Sequence, residues 1–142
     1  MLPFICLIVV LTIDVGRAFN YWVDATHLAT EGARMAAVDR VPDSAGSLQE
    51  YIRNQANTHE LREGGTRAIA APLEVCVDED PEELGGRVGD PVEVEVTATY
   101  HWLPIDKLPV IDVEGLADTE IKGKATMRRE VLAEDVTDGC EE

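Results

Sequence analysis

Residues 1–38 read MLPFICLIVVLTIDVGRAFNYWVDATHLATEGARMAAV, and this stretch decides the fold. Its interior glycines are Gly16 and Gly32, and Pro3 lies in the first turn, where a helix tolerates proline. The stretch therefore predicts one helix from Leu2 to about Val38. At about 1.5 Å per residue, such a helix is roughly 55 Å long.

The first turns of this helix are apolar. Residues 1–13 carry no charge, and Asp14 ends the run. Such a run spans about 20 Å, less than the hydrocarbon core of about 30 Å. A secretory signal peptide is excluded, because no basic residue precedes the run and no Ala-x-Ala follows it. The run is thus either a buried core helix or part of a membrane anchor, with these anchor residues: Leu2, Phe4, Ile5, Leu7, Ile8, Val9 and Leu11.

Charges at the end of the run bear on orientation. Asp14 and Arg17 are three residues apart, so they can form an ion pair, or they simply mark where water begins. Because Arg17 follows the run and nothing basic precedes it, the positive-inside rule taken literally places the following domain inside the cell.

Small side chains dominate the middle of the helix. Ala25, Ala29, Ala33 and Ala36 recur at three-to-four-residue spacing, so they share one face. Small residues let another backbone approach closely, either a sheet of the same domain or a helix of another subunit. Both alternatives remain open for the predicted packing residues, which are Ala18, Ala25, Ala29, Gly32, Ala33 and Ala36.

A second helix and a sheet follow. The sequence Ser47-Leu48-Gln49-Glu50 matches a capping box and predicts a helix that Gly64-Gly65 ends after Leu61. The hydrophobic period then changes to two, which predicts strands at 73–78, 92–102 and 119–131.

Basic residues on the solvent-facing side of the third predicted strand indicate which strand lies beside it. Lys122 and Lys124 alternate with its apolar residues and can lie across from Glu93 and Glu95 of the second strand. This pattern predicts that the second and third strands are adjacent and antiparallel. The fold class is then α+β, with an antiparallel sheet of three or more strands packed on the long helix.

These elements divide the chain into four segments. A loop is predicted at 103–118, and the last segment should be mobile unless Cys140 holds it. The segments are the helix at 1–40 with its membrane part at about 1–20, a turn and second helix at 41–65, the sheet region at 66–133, and an acidic tail at 134–142.

Length and charge restrict the function. A chain of 142 residues, 45% of them hydrophobic, can bury one modest core. Twelve basic against 28 acidic residues give a net charge of −16, which excludes nucleic acid as a partner. Up to Leu73 the charge is 6 − 8 = −2, and beyond it 6 − 20 = −14, so the acidity belongs to the second half.

Three cysteines are present, and their spacing does not suggest zinc. Cys6 lies in the apolar run, so Cys76 and Cys140 are the pair that could form a disulfide in an oxidising compartment. Closing such a loop could stabilise the fold by about 4 kcal/mol. The alternative is three reduced thiols.

Candidate chemistry is sparse. Among the acidic residues at 78–83, Asp78, Asp80 and Glu82 are weak candidates for calcium, although a solvated acidic loop is the default. The histidines are far apart in sequence, and no nucleophile motif accompanies them. We expect neither an enzyme nor a resident cofactor or structural metal.

Several motifs resemble those of the TadE/TadG-like pilus-assembly proteins. The N-terminal match comprises Leu2-Pro3 in an apolar run, an acidic residue before Val15-Gly16-Arg17, an aromatic pair, and Ala29-Thr30-Glu31-Gly32-Ala33-Arg34. The stretch from Gly89 through Tyr100, Leu103-Pro104 and Ala125-Thr126-Met127-Arg128 is similar to the sheet region of that family.

The resemblance implies a minor, pseudopilin-like component of a tight-adherence (Flp, type IV) pilus and secretion system. Its N-terminal helix would be a single-pass anchor in the plasma membrane, with the sheet domain on the extracytoplasmic side or in the pilus. Its partners would be other pilins or pseudopilins and assembly platform proteins, with a homo- or hetero-oligomer formed through the N-terminal helix.

Members of that family carry a basic leader and further apolar residues, including a glutamate, ahead of the Leu-Pro. We therefore expect the codons upstream of Met1 to encode such a stretch, which would lengthen the span and correct its orientation. The alternative function is an exported or anchored binding module that uses the acidic loop for calcium or a basic partner.

Overall fold

The computed structural model describes residues 2–42, 45–78, 87–102, 118–132 and 139–141. Within them, a long helix and two short ones accompany a four-stranded antiparallel sheet, which confirms the predicted α+β class. The elements are α1 Leu2–Ala37, α2 Leu48–Asn54, α3 His59–Glu63, β1 Glu74–Asp78, β2 Pro91–His101, β3 Asp118–Arg128 and β4 Gly139–Glu141.

The C-terminal half of α1 lies across β2 and β3, where small residues allow close approach. Ala25, Ala29 and Ala33 have at most 1% of their surface exposed. Gly123 of β3 faces the same helix, and a Cβ atom built on it would lie 2.3 Å from the carbonyl carbon of Ala25. Helix and strand therefore touch backbone to backbone, which only glycine permits at this position.

The sheet has the order β3-β2-β1-β4, with every neighbouring pair antiparallel. The predicted adjacency of the second and third strands is confirmed, with Glu95 opposite Lys124. The ion pairs run diagonally across this register: Lys124 Nζ lies 2.6 Å from Glu93 Oε1, and Lys122 Nζ lies 3.3 Å from Glu95 Oε1. The Glu93 carboxylate raises the pKa of the Lys124 amine.

The segment predicted as one second helix is two helices, which corrects that prediction. Ser47 caps α2 as expected, since its hydroxyl accepts from the Glu50 amide at 3.0 Å. After α2, the side chain of Thr58 caps α3 at the Leu61 amide. Asn57, between the helices, is bound to α1 through Asp24. This tertiary contact fixes the break.

The strand β4 lies inside the segment predicted as an acidic tail. Cys140 pairs with Cys76 of β1, and the two form the disulfide that cysteine spacing had suggested, across a sequence separation of 64. Glu141 also accepts a hydrogen bond of 2.6 Å from the Ser47 hydroxyl. Cys140 therefore holds this part of the tail against the sheet. Of the loop predicted at 103–118, residues 103–117 lie outside the described residues, and Asp118 is the first residue of β3.

Candidate functional site

The start of α1 projects from the domain as an apolar rod, here called the projecting segment, Phe4–Ile13. The helix is long and apolar enough to cross a membrane, and only 11% of its most apolar stretch of 18 residues is buried. The alternative of a buried core helix is therefore wrong for this segment. Large side chains that are exposed here are Phe4, Ile5, Leu7, Ile8, Val9, Val10 and Ile13.

Five of the seven predicted anchor residues are exposed on the projecting segment, and Leu11 and Leu2 are the exceptions. Leu11 is half-buried, because it lies near the point where the domain begins to cover the helix. Leu2 belongs to α1, but its side chain lies outside the described part of the structure.

The domain meets the helix at a polar junction, made by Asp14, Arg17, Tyr21, Glu60 and Tyr100. Asp14 is 1% exposed, and its carboxylate accepts a short hydrogen bond from the hydroxyl of Tyr100, which is itself fully buried. The same hydroxyl lies 3.3 Å from the Asp14 carbonyl oxygen. Burial, and then the hydrogen bond to Asp14, raise the pKa of Tyr100 above its ordinary value, so the phenol stays protonated and donates.

A second pair of contacts in the junction joins α1 to α3. Arg17 Nη2 lies 3.5 Å from Glu60 Oε2, and the Tyr21 hydroxyl donates to the same carboxylate. The rings of Tyr21 and Tyr100 are 5.7 Å apart between centroids, which links the two halves of the junction. The predicted pair of Asp14 with Arg17 stays a prediction, but Asp14 does not mark the start of water, because it is buried.

Sequence reasoning missed Asp24, which fixes the next turn of α1. This carboxylate is 5% exposed and accepts hydrogen bonds from the backbone amide of Asn57 at 3.0 Å and from its side-chain amide. A signal was available, since residues 14, 17, 21 and 24 recur at three-to-four-residue spacing on one face of the helix.

The small residues predicted for helix packing are covered by the chain's own α2 and sheet. Gly32 illustrates this, since a Cβ there would lie 2.5 Å from Ile52 Cδ1 and 3.2 Å from Val94 Cγ1. Ala36 is fully buried, and Ala18 packs against the edge of the core. These residues therefore pack within their own domain, against α2 and the sheet.

Large apolar residues of α1 also remain exposed beside the domain. We call Val15, Phe19, Trp22 and Val23 the outer face; their exposed fractions are 54%, 60%, 47% and 48%. The rings of Phe19 and Trp22 are in contact, with centroids 5.5 Å apart. This face continues the apolar surface of the projecting segment alongside the domain.

Other candidate sites gain little from the structure. Asp78 is exposed at the end of β1, while Asp80 and Glu82 lie outside the described residues. Glu74 lies beside both Cys76 and Cys140, but the two sulfurs are bonded to each other and offer no thiolate to a metal.

A depression of about 880 Å³ lies at the C-terminal end of α1. Arg34, Arg40 and Arg128 line it together with Glu31 and Glu130, and Glu31 pairs with Arg34 at 3.6 Å. The two glutamates offset much of the positive charge of the three arginines. The charge of the depression therefore does not indicate which ligand it could bind.

Comparisons with protein-family models, with curated proteins and with solved structures give no match.

Proposed function

We propose that this protein is a membrane-anchored, pseudopilin-like component of a tight-adherence pilus system, with a structural or assembly role. The observation that carries the proposal is the projecting segment, whose apolar side chains find no cover in the described chain. The remainder of α1 is built into an acidic domain that stays in water.

Free energy favours lipid for the projecting segment. Fully burying a large aliphatic or aromatic side chain is worth about 1.5–3 kcal/mol, so the seven exposed ones represent on the order of 10 kcal/mol. Soluble monomers rarely expose a continuous apolar surface of this kind. A bilayer removes this surface from water, and it does so without loss of hydrogen bonds because a helix forms its backbone hydrogen bonds internally.

The disulfide supports an extracytoplasmic position for the domain. Such bonds persist in oxidising compartments and are rare in the cytosol. Cys76 and Cys140 are bonded between adjacent strands, so the bond is part of the sheet. With α1 as a single-pass anchor, the sheet domain would lie outside the plasma membrane.

Pilus assembly is the finer part of the proposal, and its support is the sequence resemblance to TadE/TadG-like proteins. An anchored helix that continues into a rigid domain suits a subunit that packs beside pilins or platform proteins. Since the small-residue face is occupied, contacts with such partners would use the projecting segment or other surfaces of the domain.

Membrane fractionation tests the anchor. The full chain, expressed with its natural upstream codons, should pellet with membranes and resist alkaline carbonate. Ile8→Lys with Val9→Lys should release it into the soluble fraction, whereas Val131→Lys, a matched change at an exposed position of the domain, should not. A wild-type protein extracted by carbonate would contradict the anchor.

A gene deletion tests the pilus role. Loss of surface pili, restored by the wild-type gene but not by the Ile8→Lys, Val9→Lys gene, is the expected result. Normal piliation in the deletion strain would contradict the pilus role while leaving the anchor standing.

A further inference from the structure

The charged residues of α1 up to Thr30 lie on the side of the helix that faces the domain. Between Phe4 and Thr30 they are Asp14, Arg17 and Asp24. Asp14 binds Tyr100, Arg17 pairs with Glu60 of α3, and Asp24 binds Asn57. Each charge therefore points to the domain, and the outer face carries none.

The hydroxyl groups on the exposed side are internally satisfied. Thr12, Thr26 and Thr30 each donate a hydrogen bond of 2.8 Å to the carbonyl oxygen four residues earlier. A threonine bonded in this way can face an apolar medium without an unmet donor. Other exposed polar side chains in this stretch include Asn20 and His27, which lie beside the outer face.

The apolar surface is therefore longer than the projecting segment. From Phe4 to Val23 it covers twenty residues, about 30 Å along the axis. The domain, however, covers the other side of the helix from Asp14 onward. An upright helix inserted as far as Val23 would pull the charged junction, with Arg17 and Glu60, into hydrocarbon, which is strongly unfavourable.

A tilted helix resolves this conflict. We propose that the outer face lies in the headgroup region of the bilayer, so that α1 leaves the membrane at a slant and the domain rests on the lipid surface. This inference rests on the proposed membrane anchor and adds the position of the domain. Trp22 would then lie at the depth that amphipathic aromatic side chains favour, with the ring of Phe19 in contact with it.

Lipid fits the outer face better than a second helix does. Helices that associate in membranes use small residues, which let the backbones approach. Here the small residues are buried against the sheet, and the outer face presents Phe19, Trp22 and Val23 instead. The apolar surface is also continuous with the segment that enters the bilayer.

Tryptophan fluorescence tests the position. Trp102→Phe leaves Trp22 as the sole tryptophan, and the protein is reconstituted in phosphatidylcholine vesicles brominated at shallow or deep acyl carbons. We expect a blue-shifted Trp22 emission, at least twofold stronger quenching by shallow than by deep bromines, and weak quenching by aqueous acrylamide.

Two further variants control for a general effect of charge. Phe19→Asp in the same background should raise acrylamide quenching of Trp22 at least twofold, while the protein still floats with vesicles through its projecting segment. Thr99→Asp, on the exposed face of β2 away from α1, should leave the quenching unchanged.

Each remaining outcome overturns either the inference or the proposed function. A protein that floats with vesicles but shows water-exposed Trp22 keeps the anchor and overturns the inference. Trp22 shielded from acrylamide but quenched by neither lipid also overturns it, because a protein surface then covers the outer face. A protein that does not float at all overturns the proposed function itself.

Discussion

Gly123→Ala should push α1 away from β3 and destabilise the fold. The added Cβ would meet the Ala25 carbonyl carbon and oxygen at 2.3 Å and the Thr26 amide nitrogen at 2.5 Å, all of them backbone atoms. Ordinary contact begins at 3.4 Å, so helix and strand must move apart by 3.4 − 2.3 = 1.1 Å. No side chain can rotate away to relieve this overlap.

The expected cost follows from that displacement. Overpacking a close-packed contact costs about 1–3 kcal/mol, and a gap of this size weakens neighbouring dispersion contacts. Alanine is better than glycine in a strand by about 0.5–1 kcal/mol, which offsets part of the loss. We expect a net destabilisation of about 2 kcal/mol, or a Tm lower by roughly 6 °C for a chain of this length.

Thermal unfolding of the detergent-solubilised protein, followed by circular dichroism, measures this effect. Gly16→Ala is the matched control, because a Cβ at Gly16 meets nothing within 4 Å. It should stabilise the helix by about 0.5–1 kcal/mol. An unchanged or raised Tm for Gly123→Ala would refute the close contact of α1 with β3.

Three further perturbations probe the disulfide and the junction. Cys140→Ser should lower the free energy of unfolding by up to about 4 kcal/mol, read from urea titration, and an unchanged midpoint would argue against the bond. Asp14→Ala leaves the buried Tyr100 hydroxyl without its carboxylate and should cost about 1–3 kcal/mol, whereas in the Tyr100→Phe background the same change should cost clearly less; additive effects would contradict the contact. The raised pKa of Tyr100 means that the unfolded chain releases this proton from about pH 10 while the folded chain retains it, so its contribution to stability is complete below pH 10 and is lost above it. Tyr100→Phe should therefore flatten the alkaline decline in Tm, and a parallel decline in both proteins would contradict the assignment.

Local patterns predicted most of the fold. The length of α1, the alternation of Val92, Val94 and Val96, and the opposite charges on β2 and β3 are all visible in the sequence, because each reflects one element or one neighbouring pair. The capping residue Ser47 belongs to the same class, since its hydrogen bond reaches only three residues ahead.

What the sequence does not reveal depends on contacts between distant residues. The break between α2 and α3 is set by Asn57 binding Asp24, 33 residues away. The three-residue strand β4 has no alternation of its own, and its place follows from the bond of Cys140 to Cys76. The burial of Asp14 likewise depends on Tyr100, 86 residues later.

The predicted packing residues show why a sequence can identify the buried face of a helix without identifying the element that packs on it. Ala25, Ala29 and Ala33 were predicted to pack, and they do, but the spacing is the same for a sheet and for a second helix. Gly123 decides between them, because its missing side chain admits α1 to the sheet.

Cys6 offers the most direct test of the membrane position of the projecting segment. It is an exposed free cysteine within that segment, while the other two cysteines are bonded to each other. A nitroxide attached to Cys6 in reconstituted vesicles should collide more often with molecular oxygen, which concentrates in hydrocarbon, than with a water-soluble nickel chelate. A nitroxide that collides more often with the chelate would place the segment in water and contradict the account.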